Sequence, residues 1–120
     1  MKNRLEFPGK GELMNELLQV TDANFEEALK APFAIIEFWA TWCPGCKAAK
    51  PVIERLAQEF KGQVLIVGAD IDEAPKATER YEIASIPALV FFKDGKKFYQ
   101  IDGTTPYRRL EREIKDRFGL

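Results

Sequence analysis

Residues 33–40 form an apolar run broken by a single charge, Glu37. A continuous apolar run, rather than an alternating one, predicts a central strand buried on both faces. Past residue 46 the period changes. Ala49, Val52, Ile53, Leu56, Ala57 and Phe60 recur at helical spacing, with Pro51 inside the pattern as an expected kink. Lys61-Gly62-Gln63 ends that helix, and residues 64–69 read as a second buried strand. Strand, helix and strand in this order imply a right-handed βαβ crossover.

The same reading extends to both sides of this unit. Residues 17–20 predict a first short strand. Asn24 with Glu27 three residues on fits a capping box, opening a helix whose Phe25, Ala28 and Leu29 share one face; Pro32 closes it. Residues 75–81 read as a short helix and 88–92 as a strand. Asp94-Gly95 is a hairpin signal that returns the chain through 97–101. Thr105, with Pro106 behind it, predicts the start of a last helix, with an apolar stripe of Tyr107, Leu110, Ile114 and Phe118. The order β-α-β-α-β-α-β-β-α defines an α/β class: a mixed central β-sheet flanked by helices on both faces. Residues 1–16, turn-rich around Phe7-Pro8-Gly9, read as an N-terminal extension of weak structure, and residues 17–120 as one domain.

Composition narrows the chemistry. The chain has 120 residues, suited to a single core. Eighteen basic against nineteen acidic residues leave a net charge of -1, which lacks the concentrated positive field of a nucleic-acid binder. There is no histidine, which removes Cys-His and Ser-His-Asp catalysis and histidine metal sites. Two cysteines are too few for a disulfide framework and cannot alone close a four-ligand zinc site; two chains pooling four thiolates around a metal stays open. No segment has the roughly 20 apolar residues of a membrane span. The first residues lack the roughly 7–15-residue apolar stretch of a secretory leader, so the cytoplasm is the expected compartment.

Both cysteines lie in Trp42-Cys43-Pro44-Gly45-Cys46-Lys47, where the central strand gives way to the long helix. A C-x-x-C at such a junction is the sequence form of a redox dithiol. Disulfide exchange needs one thiolate to attack and a second thiol to resolve the mixed disulfide. A helix N-terminus stabilises negative charge through its dipole and unpaired N–H groups. Cys43, as the cap, is therefore the expected nucleophile, exposed and with a lowered pKa. Cys46, one turn inside, is the expected resolving thiol, more buried. A Cys43–Cys46 disulfide closes a small ring at the helix start. A pair of inert buried cysteines would not account for the spacing, Trp42 or the Pro-Gly pair.

Glu37 is a lone carboxyl within a strand expected to be buried. Burial raises its pKa and suits it to pass protons to or from Cys46; the alternative is a strand-end glutamate reaching solvent. Ile86-Pro87 opens the 88–92 strand, where a proline fits at an edge, at a first residue or with a cis bond.

At these residues the chain resembles the thioredoxin family. The likeness runs from about residue 17 to the end. It is carried by Phe38-Trp39-Ala40, the dithiol segment, Pro51, Asp70-Ile71-Asp72, Pro75, Tyr81-Glu82-Ile83, Ile86-Pro87, Phe92-Lys93-Asp94-Gly95 and Gly103. The resemblance implies the thioredoxin fold and reduction of protein disulfides, with NADPH-linked electrons arriving through a thioredoxin reductase-type donor. It implies that Pro87 is a cis-proline facing the dithiol. Trp42, Pro44, Gly45, Ile86, Pro87 and Gly103 would then border the substrate groove, where Ile86 backbone groups would pair with the substrate peptide as an added strand. It further implies no cofactor or metal, disulfide-containing protein substrates, no nucleic acid or membrane partner, and a monomer.

Four features depart from the family pattern. The usual Gly-Pro between the cysteines is Pro-Gly, which alters the N–H groups facing Cys43 and the stiffness of the turn. The usual buried aspartate is Glu37. The lysine that usually pairs with that acid falls at Gly68, and the threonine usual after the cis-proline is Ala88. The inverted dipeptide keeps a more oxidising, glutaredoxin-like or isomerase-type protein as an alternative, and a binding scaffold with an incidental dithiol as another.

Overall fold

The computed structural model describes residues 17–120; the expected extension, residues 1–16, lies outside them. Among the described residues, four strands form one sheet: β1 (Phe33–Trp39), β2 (Leu65–Asp70), β3 (Ala88–Lys93) and β4 (Lys96–Asp102). The helices are α1 (Phe25–Ala28), α2 (Pro44–Glu59), α3 (Pro75–Arg80) and α4 (Tyr107–Phe118). The strand order is β2-β1-β3-β4. β1 runs parallel to β2 and antiparallel to β3, and β4 runs antiparallel to β3. The sheet is mixed, as the sequence pattern predicts.

Apart from Glu37, β1 is apolar because it feeds two cores. Ala34, Ile36 and Phe38 pack with Phe25 and Ala28 of α1 and Ala77 of α3. Ile35, facing the other way, packs with Ile53 and Leu56 of α2 and Leu110, Ile114 and Phe118 of α4. Side chains alternate along a strand, so Glu37 shares the face of Ile35, beneath α2. Full burial of a Phe, Ile or Leu side chain is worth about 1.5–3 kcal/mol. These two layers therefore hold the sheet that carries the dithiol.

The Asp94-Gly95 turn forms as expected. Both residues have positive φ, 51° and 82°, the left-handed pair that matches hairpin twist. A Cβ at Gly95 would also stand 3.3 Å from the Leu29 carbonyl oxygen.

Several local expectations are corrected. The predicted strand at 17–20 reduces to a single bridge, Gln19 to Gly68. Val20 N–H bonds the Gly68 carbonyl and Gly68 N–H bonds the Leu18 carbonyl, both at 2.8 Å; a turn from Thr21 to Asn24 then draws the chain off the edge. The capping box does not form. Asn24 Oδ1 accepts the Thr21 N–H at 2.7 Å instead of a helical one. The last helix starts one residue later than expected, with Pro106 as its cap, and the Thr105 hydroxyl donates to the Gly103 carbonyl. Pro51 lies within helix α2, which continues past it to Glu59; the proline is on the solvent side, where the missing N–H is least costly.

Asp22 has a role that its local sequence hides. Its two carboxylate oxygens accept the N–H groups of Lys76 and Ala77, at 2.9 and 3.0 Å. They cap α3, whose own cap residue, Ala74, offers no side-chain bond. Replacing Asp22 with alanine is expected to lower stability by about 1–2 kcal/mol, measured by urea unfolding. The asparagine variant, which keeps one acceptor oxygen for two N–H donors, should retain only part of the stability.

Candidate active site

The end of β1 and the start of α2 build the dithiol. Cys43 has extended backbone angles, φ -102° and ψ 110°, and caps α2, with Pro44 as the first helical residue. Cys43 and Cys46 are joined as a disulfide across a Cα–Cα distance of 5.2 Å. The Cys46 N–H points at Cys43 Sγ, 3.1 Å away, and is shared with the Cys43 carbonyl oxygen at the same distance. This N–H is one of the unpaired donors of a helix start, aimed at the sulfur that would carry negative charge.

The two sulfurs face different surroundings. Both cysteines are buried, 6% and 4% exposed, so the expected exposure of Cys43 is not seen in the oxidised pair. Both cysteines belong to a small apolar cluster with Ala40, flanked by Trp39, Ile71 and Ile86. Cys43 Sγ lies 3.8 Å from the Ile86 carbonyl oxygen. The Ile86–Pro87 bond is cis, and the Pro87 carbonyl accepts the Gly103 N–H at 2.8 Å. Gly103 takes φ +88°, and Thr104 next to it donates its hydroxyl to the Gly45 carbonyl at 3.1 Å. Ile86 thus lies against Cys43, Pro87 lies beside Gly45, and Gly103 is tied to Pro87. Trp42 is 63% exposed and held from the other side, its indole N–H donating to Asp72 Oδ2 at 3.1 Å. Pro44 is exposed at the helix start.

Cys46 faces inward. A cavity of about 390 Å³ is lined by Gln19, Glu37, Cys46, Lys47, Lys50 and Glu54 together with Trp39 and its neighbours. Glu37 is 4% exposed, a buried carboxyl rather than a strand-end one. Burial, and then the negative charge of Glu54, raise its pKa from 4.5 to about 7.

Gly68 stands opposite Glu37 in the pairing of β1 with β2. A Cβ there would lie 2.6 Å from Gln19 Nε2. The Gln19 amide thus covers the position from which the family lysine would extend, and its Oε1 accepts the Trp39 indole N–H at 2.8 Å. Cations reach this cavity from α2 instead, through Lys47 and Lys50, the latter 3.9 Å from Glu54.

Gln19, Lys50, Glu54 and Thr104 are absent from the sequence-based set of site residues. Lys50 and Glu54 carried a signal, since they follow Cys46 by four and eight residues on one helical face. Gln19 and Thr104 had none, because tertiary folding alone brings them to the site. Among the described residues, no group of three or more His, Cys, Asp or Glu side chains is arranged to hold a metal ion.

A dithiol at a strand-to-helix junction, opposed by a cis-proline on a mixed sheet, defines a thiol-disulfide oxidoreductase. Comparison with known proteins agrees. The family model for thioredoxin matches residues 16–116. Thioredoxins of Staphylococcus aureus and Staphylococcus haemolyticus are each 39% identical over 101 residues, 84% of this chain and 96% of theirs. A chain solved in work on the thiol resolving mechanism of yeast mitochondrial 1-Cys peroxiredoxin via glutathione/thioredoxin systems superposes with a TM-score of 0.75. That chain is 31% identical, and the match covers 84% of this chain and 95% of that one. The chain belongs to the thioredoxin family. Its activity is protein-disulfide reduction by dithiol-disulfide exchange, with disulfide-containing substrates and a reductase as electron donor in general terms. The glutaredoxin-like, isomerase and scaffold alternatives are not favoured. No described helix is long and apolar enough to cross a membrane.

Proposed function

We propose that Cys43 attacks the substrate disulfide, Cys46 resolves the mixed disulfide, and Glu37 takes the Cys46 proton. The observation that carries this assignment is the contrast between the two sulfurs. Cys43 Sγ receives a helix-start N–H and lies beside the Ile86 carbonyl, whereas Cys46 lines the cavity that holds Glu37.

In the reduced protein the Cys43 thiolate attacks one sulfur of a substrate disulfide. A Cys43–substrate disulfide forms and the other substrate sulfur leaves as a thiolate, taking a proton from water. Cys46 then loses its proton and attacks Cys43 Sγ, releasing the second substrate thiol and closing the Cys43–Cys46 bond. Two electrons pass to the substrate. A carboxyl with a midpoint of about 7 is partly ionised at neutral pH and is matched to that proton transfer.

Trp42, Pro44, Gly45, Ile86, Pro87 and Gly103 border the groove for the substrate peptide, and the Ile86 backbone pairs with it as an added strand. Residues 17–120 make up the catalytic domain and residues 1–16 an extension outside it. The protein works as a cytoplasmic monomer, re-reduced by an NADPH-fed reductase of the thioredoxin reductase type.

Alkylation of the reduced protein with iodoacetamide, followed by peptide mass mapping, tests the roles. Cys43 should react at least about ten-fold faster than Cys46 at pH 7, with a half-maximal pH below the usual 8.5. Equal rates would contradict the assignment.

A further inference from the structure

Thr104 follows the Gly103 turn and is separated from Gly45 by 59 positions, yet its hydroxyl donates to the Gly45 carbonyl oxygen at 3.1 Å. That carbonyl and the Cys46 N–H are the two ends of one peptide group. The N–H end points at Cys43 Sγ, 3.1 Å away. A hydrogen bond accepted at the oxygen of an amide polarises the group and strengthens its N–H as a donor. Because the peptide is planar, fixing its oxygen also fixes the direction of the N–H.

The glycine makes this contact fit. A Cβ at position 45 would stand 3.3 Å from Thr104 Oγ1 and 3.6 Å from Pro87 Cδ. Either a side chain or a proline ring there would press on the hydroxyl. With proline at 44 and glycine at 45, the Thr104 loop closes onto the turn without that conflict.

We infer that Thr104 is a positioning residue for the redox pair: acting through the Gly45–Cys46 peptide group, its hydroxyl stabilises the Cys43 thiolate and so favours the reduced dithiol. The inference rests on Cys43 being the attacking thiol. It concerns a residue that touches neither sulfur. A thiolate accepts a stronger hydrogen bond from the Cys46 N–H than a disulfide sulfur does. The Thr104 contribution is therefore larger in the reduced state, and removing it makes the pair more strongly reducing.

Thr104→Val is the test, with Thr104→Ser as the rescue. Valine keeps the shape of threonine and places a methyl group where the exposed hydroxyl donated to the carbonyl. Iodoacetamide is the probe, because it needs no peptide groove. The pH profile of Cys43 alkylation in the valine variant should move up, so that the rate at pH 6 falls about two- to three-fold. The equilibrium with dithiothreitol at pH 8 should shift by a similar factor toward the disulfide form of the protein. Serine should restore both. If Cys43 reacts first in all three proteins but valine leaves both readouts unchanged, or serine behaves like valine, the inference on Thr104 is wrong and the thiol roles stand. If peptide mapping of the unsubstituted protein finds Cys46 reacting first, the thiol roles fall and the inference falls with them.

Discussion

Replacing Cys43 with serine should reduce insulin reduction in the presence of dithiothreitol to the rate of dithiothreitol alone. The protein-catalysed rate is expected to fall at least about 1,000-fold. The reason is chemical rather than geometric. Serine differs by one atom and should leave the fold unchanged, because α2 still begins at Pro44 and its core residues Ala49, Ile53 and Leu56 do not depend on the sulfur. A serine oxygen, however, does not ionise near neutral pH and cannot form a disulfide with substrate or with Cys46. Cys46→Ser should also lose turnover, but by a different route: the first attack still occurs and the protein stalls as a mixed disulfide. Turbidity assays alone therefore do not separate the two variants, whereas the state of the remaining thiol does.

Glu37→Gln should make the protein more stable at alkaline pH, by about 3 kcal/mol at pH 8.5. Burial raises the Glu37 midpoint from 4.5 to about 7, with Glu54 adding to it. Between those values the folded state holds a proton that the unfolded chain has released. Stability therefore falls as pH rises through this window. Below about pH 4.5 both states are protonated and the penalty disappears. Above about pH 7 both are ionised and it is complete, at about 1.4 kcal/mol for each pH unit of the midpoint change. Glutamine cannot ionise and escapes the penalty. Urea unfolding of the oxidised proteins from pH 4 to 8.5 should show curves that nearly coincide in acid and separate through the window. A constant separation at every pH would mean that Glu37 titrates alike in the folded and unfolded chain.

The link between that cost and function is the cavity. Glu37 faces the same space as Cys46, so a carboxyl that costs stability when ionised is placed where the proposed mechanism takes the Cys46 proton. In many relatives, by resemblance, a lysine offsets the charge of the buried acid. Here Gly68 and the overlying Gln19 amide occupy that position, and nearby cations come from the rim of α2.

Local patterns made much of this legible. The apolar run of 33–40, interrupted only at Glu37, marked β1 because both faces of that strand are covered. The Asp94-Gly95 pair marked its hairpin because only a few residue types accept two positive φ angles. The stripe Leu110, Ile114 and Phe118 marked α4. The cysteine spacing located the dithiol, and a single charge in an apolar strand identified Glu37. What failed depended either on a local turn that competes with the expected element or on contacts between distant segments. Asn24 looked like a helix cap, but its side chain is taken by Thr21 N–H. Asp22 carried no signal in its local sequence, and its carboxylate caps α3 across 54 positions. Residues 17–20 looked like a strand, yet only Gln19 pairs, because the following turn pulls away. Gln19 over Gly68 and Thr104 on Gly45 are likewise invisible along the chain. They arise where the β2 edge and the loop after β4 approach the site.

Trapping is the most direct test of the division of labour between the thiols. Reduced Cys43→Ser and Cys46→Ser proteins would each be mixed with a peptide carrying a mixed disulfide to a chromogenic thiol, and intact-mass spectrometry would follow the adduct. The Cys46→Ser protein should form a stable one-to-one adduct on Cys43 within the mixing time at pH 7. The Cys43→Ser protein should form it far more slowly. Equal trapping by the two variants, or faster trapping on Cys46, would contradict the assignment of Cys43 as the attacking thiol.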